Sequence, residues 1–108
     1  MVKKKKLSLA WSKDSKDRLK NIYNWNTENY TIKRAKKILG SIKSVARKIP
    51  SNPYSHPKCF EIEEPNENIR KALVKRTYWI VYEIEDDRVV ILEVIHGRMD
   101  PEIYKKIK

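Results

Sequence analysis

The sequence has little cysteine and no long apolar run, and each absence removes a class of protein. Cys59 is the single cysteine, so the chain has no internal disulfide and no Cys-x-x-Cys spacing for a metal or a redox pair. Residues 3–6 are lysines, as at the start of a signal peptide, but only residues 7–11 follow before the chain turns polar. The longest apolar stretches, near Ile80 and Ile91, are far too short to span a membrane. We therefore expect a cytoplasmic protein that uses no metal or other cofactor.

The chain has the size of one ordinary domain. Its 108 residues are too few for two independent cores, and no internal repeat or linker divides them. Hydrophobic residues make up 40% of the chain, which is enough for one core, while 36% charged residues indicate a heavily solvated surface. We predict a single domain over residues 1–108, of which residues 1–6 form a flexible basic arm.

The charge of the chain is strongly one-sided. Lysine and arginine number 25 against 14 aspartates and glutamates, which gives a formal net charge of +11 at pH 7. Such a field attracts polyanions and acidic proteins, although the same lysines would also keep a small protein soluble. The charge therefore indicates a class of partner and leaves the reaction open.

Apolar spacing at the beginning of the chain predicts a strand and a first helix. Residues 7–11 alternate between large apolar side chains and smaller or polar ones, as a half-buried strand does. Ser12 can then cap a helix over roughly residues 13–24. The asparagine-rich residues 25–29 predict a bend out of that helix.

The second helix has the clearest pattern in the sequence. Its apolar residues recur at steps of three and four, while lysines and arginines fall between them. The apolar stripe consists of Ala35, Ile38, Leu39, Ile42, Val45, Ala46 and Ile49. Pro50 ends the helix, because its ring cannot continue the backbone hydrogen bonding.

After Cys59 the apolar period changes from about 3.6 residues to about 2, which predicts strands. The candidates are Phe60 with Ile62, residues 69–76 around Leu73, residues 78–84 and residues 89–96. The polar residues 85–88 are too few for a parallel crossover, so the last two strands form an antiparallel hairpin. Asp100 can cap a short final helix, with Pro101 at its first position.

These elements predict an α+β fold. An N-terminal strand leads into a two-helix hairpin, which packs on an antiparallel sheet of three to four further strands, and a short helix ends the chain. Each long helix has one apolar stripe to bury, and the sheet needs one covered face. We therefore expect the two helices to form a layer that covers one face of the sheet.

Three segments carry a resemblance to a known family. Residues 78–84, YWIVYEI, resemble a strand that the family writes YRIVYRI, and residues 94–102, VIHGRMDPE, resemble its ending VLHxRRDP. The opening LAWSKDSKDRLKNIYNW, residues 9–25, is similar to the family's strand that leads through a polar cap into a helical hairpin. Together, over nearly the whole chain, they resemble the RelE/ParE toxin superfamily.

The resemblance implies the toxin of a type II toxin–antitoxin system, or plasmid stabilisation protein, held inactive by a cognate acidic antitoxin. The ParE branch poisons DNA gyrase without cutting nucleic acid, whereas the RelE branch cuts messenger RNA on the ribosome without a metal. Residues 96–100, HGRMD, resemble the ParE branch, which we favour. The alternatives are a ribosome-dependent endoribonuclease and a non-toxic basic module that binds nucleic acid.

The RelE pattern implies candidate catalytic residues near the end of the chain. Arg98 and Tyr104 lie six residues apart, as an active-site arginine and tyrosine do in that pattern. Arg98 would stabilise phosphate charge, and Tyr104 would stack on RNA or donate a proton. Because histidine exchanges protons near neutral pH, His96 is a third candidate, with closure of the last strand through a bond to a backbone carbonyl as its alternative role.

Four further residues are candidates for contact with the target. Trp79 stands where the RelE pattern has a strand arginine, and the two strand lysines of that pattern fall approximately on Arg70 and Ala72. The cations left for a polyanionic target are Arg70, Lys75 and Arg76, although such a run also suits a solvated sheet edge. Trp79 points opposite to its strand neighbours, so either it or they face the cleft or the antitoxin.

Overall fold

The structure is a computed structural model that describes residues 7–99 and 101–107. The predicted flexible arm, residues 1–6, and the predicted cap Asp100 lie outside the described residues. The elements in chain order are β1 (Ser8–Trp11), α1 (Lys13–Asn29), α2 (Ile32–Lys48), β2 (Ile69–Val74), β3 (Tyr78–Ile84), β4 (Arg88–His96) and a C-terminal 3₁₀ helix (Pro101–Lys106). Two short 3₁₀ turns, Ile49–Ser51 and Pro53–Ser55, follow α2. None of the described helices is long and apolar enough to cross a membrane.

Hydroxyl side chains begin both long helices. The Ser12 hydroxyl accepts a hydrogen bond from the Ser15 N–H at 3.1 Å, which confirms the predicted cap of α1. It also donates to the Leu92 carbonyl at 3.0 Å, so that the cap ties α1 to β4. At α2 the Thr31 hydroxyl accepts from the Arg34 N–H at 3.1 Å. A side-chain cap therefore defines the first residue of each helix in the hairpin.

The bend predicted over residues 25–29 is wrong, because α1 continues to Asn29. The asparagines that suggested a turn donate instead to carbonyls one helical turn earlier, Asn26 to Ile22 and Asn29 to Trp25, both at 2.8 Å. Asn26 is buried, so its amide is satisfied inside the helix. The turn comes at Tyr30, whose backbone leaves the helical conformation.

The sheet has the strand order β1-β4-β3-β2. β2 with β3, and β3 with β4, pair antiparallel, as predicted for the second half of the chain. β1 joins the outer side of β4 in parallel, with Leu9 opposite Val89, so the complete sheet is mixed. The long helical hairpin between β1 and the rest supplies the crossover that a parallel pair requires.

The helical hairpin packs on one face of this sheet and forms the larger core. All seven residues of the predicted stripe on α2 are buried or half-buried, which confirms it. The sheet side of this core consists of Ala72, Val74, Tyr78, Ile80, Tyr82, Ile84, Val89, Ile91 and Val94. The Tyr82 hydroxyl donates to the Pro53 carbonyl, which fastens the loop after α2 to the sheet.

The helical layer covers one face of the sheet, as predicted, and the opposite face is covered as well. A second cluster on the opposite face joins Val81 and Ile95 to Cys59, Tyr104 and Ile107. The C-terminal 3₁₀ helix supplies part of this cover, in the place where a short final helix was predicted. Successive apolar residues of a strand therefore enter two different cores. One core lies between the sheet and the helical hairpin, and the other lies between the sheet and the C-terminal 3₁₀ helix, which we call the tail.

The predicted strand at Phe60 and Ile62 is also wrong. Only one isolated bridge, from Lys58 to Arg70, pairs this segment with β2. Ile62 then turns into the second core, while Phe60 is 69% exposed. The apolar alternation was real, but it reflects a loop that covers the sheet rather than a strand added to its edge.

Candidate functional site

An open cleft of about 1370 Å³ lies between the helical hairpin and one end of the sheet. Its helical wall is the end of α1 and the first half of α2, and its sheet wall is the β2–β3 turn together with the end of β4. We call this surface the cleft. Its charged and aromatic lining residues include Trp25, Tyr30, Lys33, Arg34, Lys37, Lys75, Arg76, His96 and Arg98.

The cleft is lined by basic residues from both walls. They are Arg18, Lys33, Arg34, Lys37, Lys75, Arg76 and Arg98, and no aspartate or glutamate is among its described lining residues. Arg18 is paired with Glu93 at 3.1 Å. The other six have no ion-pair partner within residues 7–99 and 101–107. Like charges that converge on a concave surface focus a positive potential there, which attracts anions.

The sheet wall presents Lys75 and Arg76 from a tight turn. Their φ angles are 48° and 59°, so both residues adopt the left-handed conformation that glycine and asparagine ordinarily fill. The turn is closed by a hydrogen bond from the Thr77 N–H to the Val74 carbonyl at 3.0 Å. The Gly97 N–H donates to the Thr77 carbonyl at 2.8 Å, which holds the turn against the chain that leaves β4.

His96 and Arg98 lie beside that turn. The His96 Nδ1 accepts a hydrogen bond from the Arg98 backbone N–H at 3.0 Å, rather than donating to a carbonyl as its predicted structural role required. The imidazole packs edge-on against the Tyr78 ring, with 5.2 Å between the ring centroids. The Arg98 side chain is exposed, so its guanidinium is available in the cleft.

The helical wall exposes two aromatic side chains. Trp25 and Tyr30 are 54% and 53% exposed, and their ring centroids lie 5.6 Å apart. The Arg34 guanidinium carbon lies 4.0 Å from the centroid of the Tyr30 ring. Sequence reasoning missed this wall because it placed Trp25 in a bend. The one signal available was that the cations of α2 fall off its apolar stripe.

Tyr104 and Trp79 lie away from the cleft. Tyr104 is buried in the cluster on the opposite face of the sheet, where burial, with smaller contributions from Glu61 and Cys59, raises the pKa of its phenol to about 12. Trp79 alternates to that same face, and the Lys71 ammonium lies 4.2 Å from its ring centroid. The structure therefore does not bring Tyr104 together with Arg98.

Arg70 is engaged by its own chain. Its guanidinium donates to the carbonyls of Glu67 at 2.9 Å, Tyr54 at 3.3 Å and His56 at 2.8 Å. It also lies 5.0 Å from the Tyr54 ring centroid. These contacts fasten the loop before β2, and Arg70 is not a lining residue of the cleft. Of the four candidate contact residues, Lys75 and Arg76 are the two that line it.

The arrangement is suited to binding an anionic partner. Among the residues that the structure describes, the cleft offers six cations without an ion-pair partner, one imidazole and two open aromatic rings, and no carboxylate that could act as a general base. No group of histidine, cysteine or acidic residues in the described part of the chain is arranged to hold a metal ion.

A family model identifies the family of the chain, and a solved structure has the same fold. A family model described as the ParE toxin of a type II toxin–antitoxin system, parDE, matches residues 9–101. Among solved structures, the chain is similar to one from the chromosomal ParDE toxin–antitoxin system of P. aeruginosa, with a TM-score of 0.71 and 14% sequence identity. That match covers 86% of this chain and 98% of the other. A search of curated proteins found no match.

Proposed function

The chain belongs to the ParE toxin family of type II toxin–antitoxin systems, and we propose that it arrests growth by inhibiting DNA gyrase until an acidic antitoxin binds it. The observation that carries this proposal is the family match over residues 9–101, which includes both walls of the cleft. The ending HGRMD, on which the ParE branch was favoured from the sequence, lies largely within the sheet wall of that cleft.

The side chains support inhibition by binding rather than by cleavage. An RNA-cleaving site needs a proton acceptor, cations and a proton donor around one phosphate. Arg98 lies in the cleft, but Tyr104 lies under the opposite face of the sheet with a pKa raised to about 12. Trp79, at the position of the strand arginine in the RelE pattern, is also on that far face.

The charge of the cleft supports an acidic antitoxin as partner. Six cations that have no carboxylate partner within residues 7–99 and 101–107 would steer an acidic segment quickly to this surface. The exposed Trp25, Tyr30 and Ile32 beside them supply apolar area that an antitoxin would bury, and this area would slow dissociation. Fast association and slow release are what neutralisation of a toxin requires.

Controlled expression tests the proposal. The chain is expressed from a tightly repressed promoter without an antitoxin, and we expect growth arrest with filamentation, DNA breaks and induction of the SOS response. Arg98→Ala should relieve the arrest, whereas Lys36→Ala, which removes an exposed charge of α2 outside the cleft, should not. Both variant proteins are quantified by immunoblot, so that a difference in amount is not read as a difference in activity.

Three results would contradict the proposal in different ways. Normal growth at full expression would remove the toxin activity. Arrest with codon-resolved cuts in messenger RNA and intact DNA would assign the chain to the ribosome-dependent alternative. If Arg98→Ala arrests growth as strongly as the original chain does, the Arg98 side chain in the cleft is not needed for toxicity.

A further inference from the structure

The cleft combines positive charge with exposed aromatic rings, a combination that also fits a ligand other than a protein. Its cations include two in a strained turn, and its opposite wall exposes two aromatic rings that lie tilted at 57° to each other. We propose that the cleft binds single-stranded nucleic acid, with phosphates on Lys75, Arg76 and Arg98 and bases on Trp25 and Tyr30. This proposal does not depend on gyrase being the target, because the contact is with the nucleic acid itself.

The turn indicates that its two cations are kept for binding. At φ of 48° and 59°, the Cβ atoms of Lys75 and Arg76 are held in a conformation that costs free energy for any residue but glycine. Asparagine or glycine would relieve that cost in the same turn. Strain of this kind in exposed residues is typical of functional sites. Both residues are exposed and line the cleft, so the side chains that cause the strain are those that meet a ligand.

The helical wall indicates what kind of anion the cleft fits. Trp25 and Tyr30 expose about half of their surface, and the Arg34 guanidinium covers part of the Tyr30 ring. Unpaired bases stack on such rings whatever their sequence, and arginine adds to the stacking. A ligand with negative charge alone would use the cations and leave the two rings uncovered, whereas bases would cover them. Cations on both walls, together with rings on the helical wall, therefore favour a chain of phosphates and bases.

The same geometry favours a single strand over a duplex. The bases of a duplex are stacked on each other, so their faces cannot reach Trp25 or Tyr30 without being pulled out of the helix. A single strand presents phosphates and base faces together. A positively charged groove with aromatic platforms is the usual solution for binding single strands without sequence preference.

Binding is measured by fluorescence anisotropy with a labelled 12-nucleotide oligouridylate over a series of salt concentrations. For a single strand the logarithm of the affinity falls with that of salt by about 0.7 for each phosphate neutralised, so three contacts predict a slope near −2. A duplex of equal length and a polyglutamate peptide of equal charge are the comparison probes. We expect the single strand to bind most tightly. Equal or tighter binding of polyglutamate would overturn the proposal, because it would show that charge alone accounts for binding in the cleft.

Trp25→Ala tests the stacking contact. We expect it to weaken oligouridylate binding by about 5- to 100-fold, in line with the loss of one stacked base. Phe60→Ala is the matched control, because Phe60 is 69% exposed and does not line the cleft. It should leave the affinity unchanged. Equal affinities of the two variants would contradict the proposal.

The double variant Lys75→Gly with Arg76→Gly tests whether the two cations of the turn bind the ligand. Glycine adopts positive φ angles without strain, so the variant should keep the turn. We expect weaker binding with a salt slope shallower by about 1.4, because two phosphate contacts are lost. We also expect a melting temperature higher by about 4–8 °C, since left-handed strain is relieved. Lys36→Ala with Lys43→Ala removes the same charge from exposed positions on α2 outside the cleft and should change neither quantity. Equal loss of binding in both double variants, or an unraised melting temperature of the first, would contradict the proposal.

Discussion

The two faces of the sheet use basic residues in different ways. On the tail face, Lys71 is paired with Glu61 and covers Trp79, and Tyr104 is sealed beside them. On the helical face, the cations of the cleft have no carboxylate partner in the described chain, apart from Arg18. The two faces therefore differ in whether their basic residues form ion pairs with carboxylates. Paired cations on the tail face hold the fold, and unpaired cations in the cleft remain available to a partner.

The sharpest test of this contrast replaces one residue on each face. Tyr104→Ala should lower the free energy of unfolding by about 3 kcal/mol, because it empties a site in the tail-face core. Arg98→Ala should change it by less than about 0.5 kcal/mol, because its side chain is exposed in the cleft. Urea unfolding followed by tryptophan fluorescence measures both. Comparable destabilisation by the two variants would mean that Arg98 is structural and that the contrast is wrong.

Arg18 is the paired cation among the described lining residues of the cleft, and its pair with Glu93 gives the second prediction. The Glu93 carboxylate accepts from Arg18 at 3.1 Å and from the Val94 N–H at 2.9 Å, and Glu93 is 7% exposed. Glu93→Gln should therefore cost about 1–3 kcal/mol, because it leaves Arg18 poorly paired near the core.

Glu85→Gln is the control for that variant, because Glu85 pairs with Arg88, whose side chain is about half exposed. We expect no measurable shift of its urea midpoint. If both variants unfold at the same urea concentration, the Arg18–Glu93 pair is not part of the structural framework.

The smallest predicted effect concerns alkaline pH. Burial raises the pKa of Tyr104 to about 12 from an ordinary 10, so folding favours the protonated phenol. The stability that this provides is fully present below pH 10 and is lost as the pH rises from about 10 to about 12. At pH 10.5 the loss is about 1 kcal/mol by proton linkage. Tyr104→Phe removes this contribution, so its urea midpoint should fall less steeply over that range than that of the original chain. Parallel curves would show that the phenol is not buried in solution.

The amphipathic elements were predictable because their information is local. The stripe from Ala35 to Ile49 repeats at helical spacing, and the Ser12 hydroxyl needs only its own first turn to cap α1. The antiparallel order of β3 and β4 followed from the short polar connection between them. Each of these features depends on residues close together in the sequence.

The errors came where distant contacts decide the structure. The asparagines near Trp25 have the composition of a turn, but a buried position for Asn26 and backbone carbonyls within reach keep the helix going. Ile62 reads as a strand residue, yet it packs under the sheet. Periodicity does not say which of two cores a residue enters, and so the second core was not predicted.

The candidate site was predictable only in part for the same reason. Strands β2 and β4 both finish at the same end of the sheet. The residues that follow or close them therefore converge in the cleft, namely Lys75, Arg76, His96 and Arg98. Tyr104 is only six residues from Arg98 in sequence, but the tail passes under the sheet between them. Closeness in the sequence was therefore a poor guide to which candidate site residues lie on the same surface.

We propose that the chain inhibits gyrase through the cations of the cleft that have no ion-pair partner among the described residues. The most direct measurement is DNA supercoiling by purified gyrase in the presence of increasing amounts of the purified chain. We predict that the original chain and Tyr104→Phe stop supercoiling at similar concentrations, and that Arg98→Ala requires at least ten times more. Undiminished supercoiling with the original chain in molar excess, or equal inhibition by Arg98→Ala, would contradict the claim.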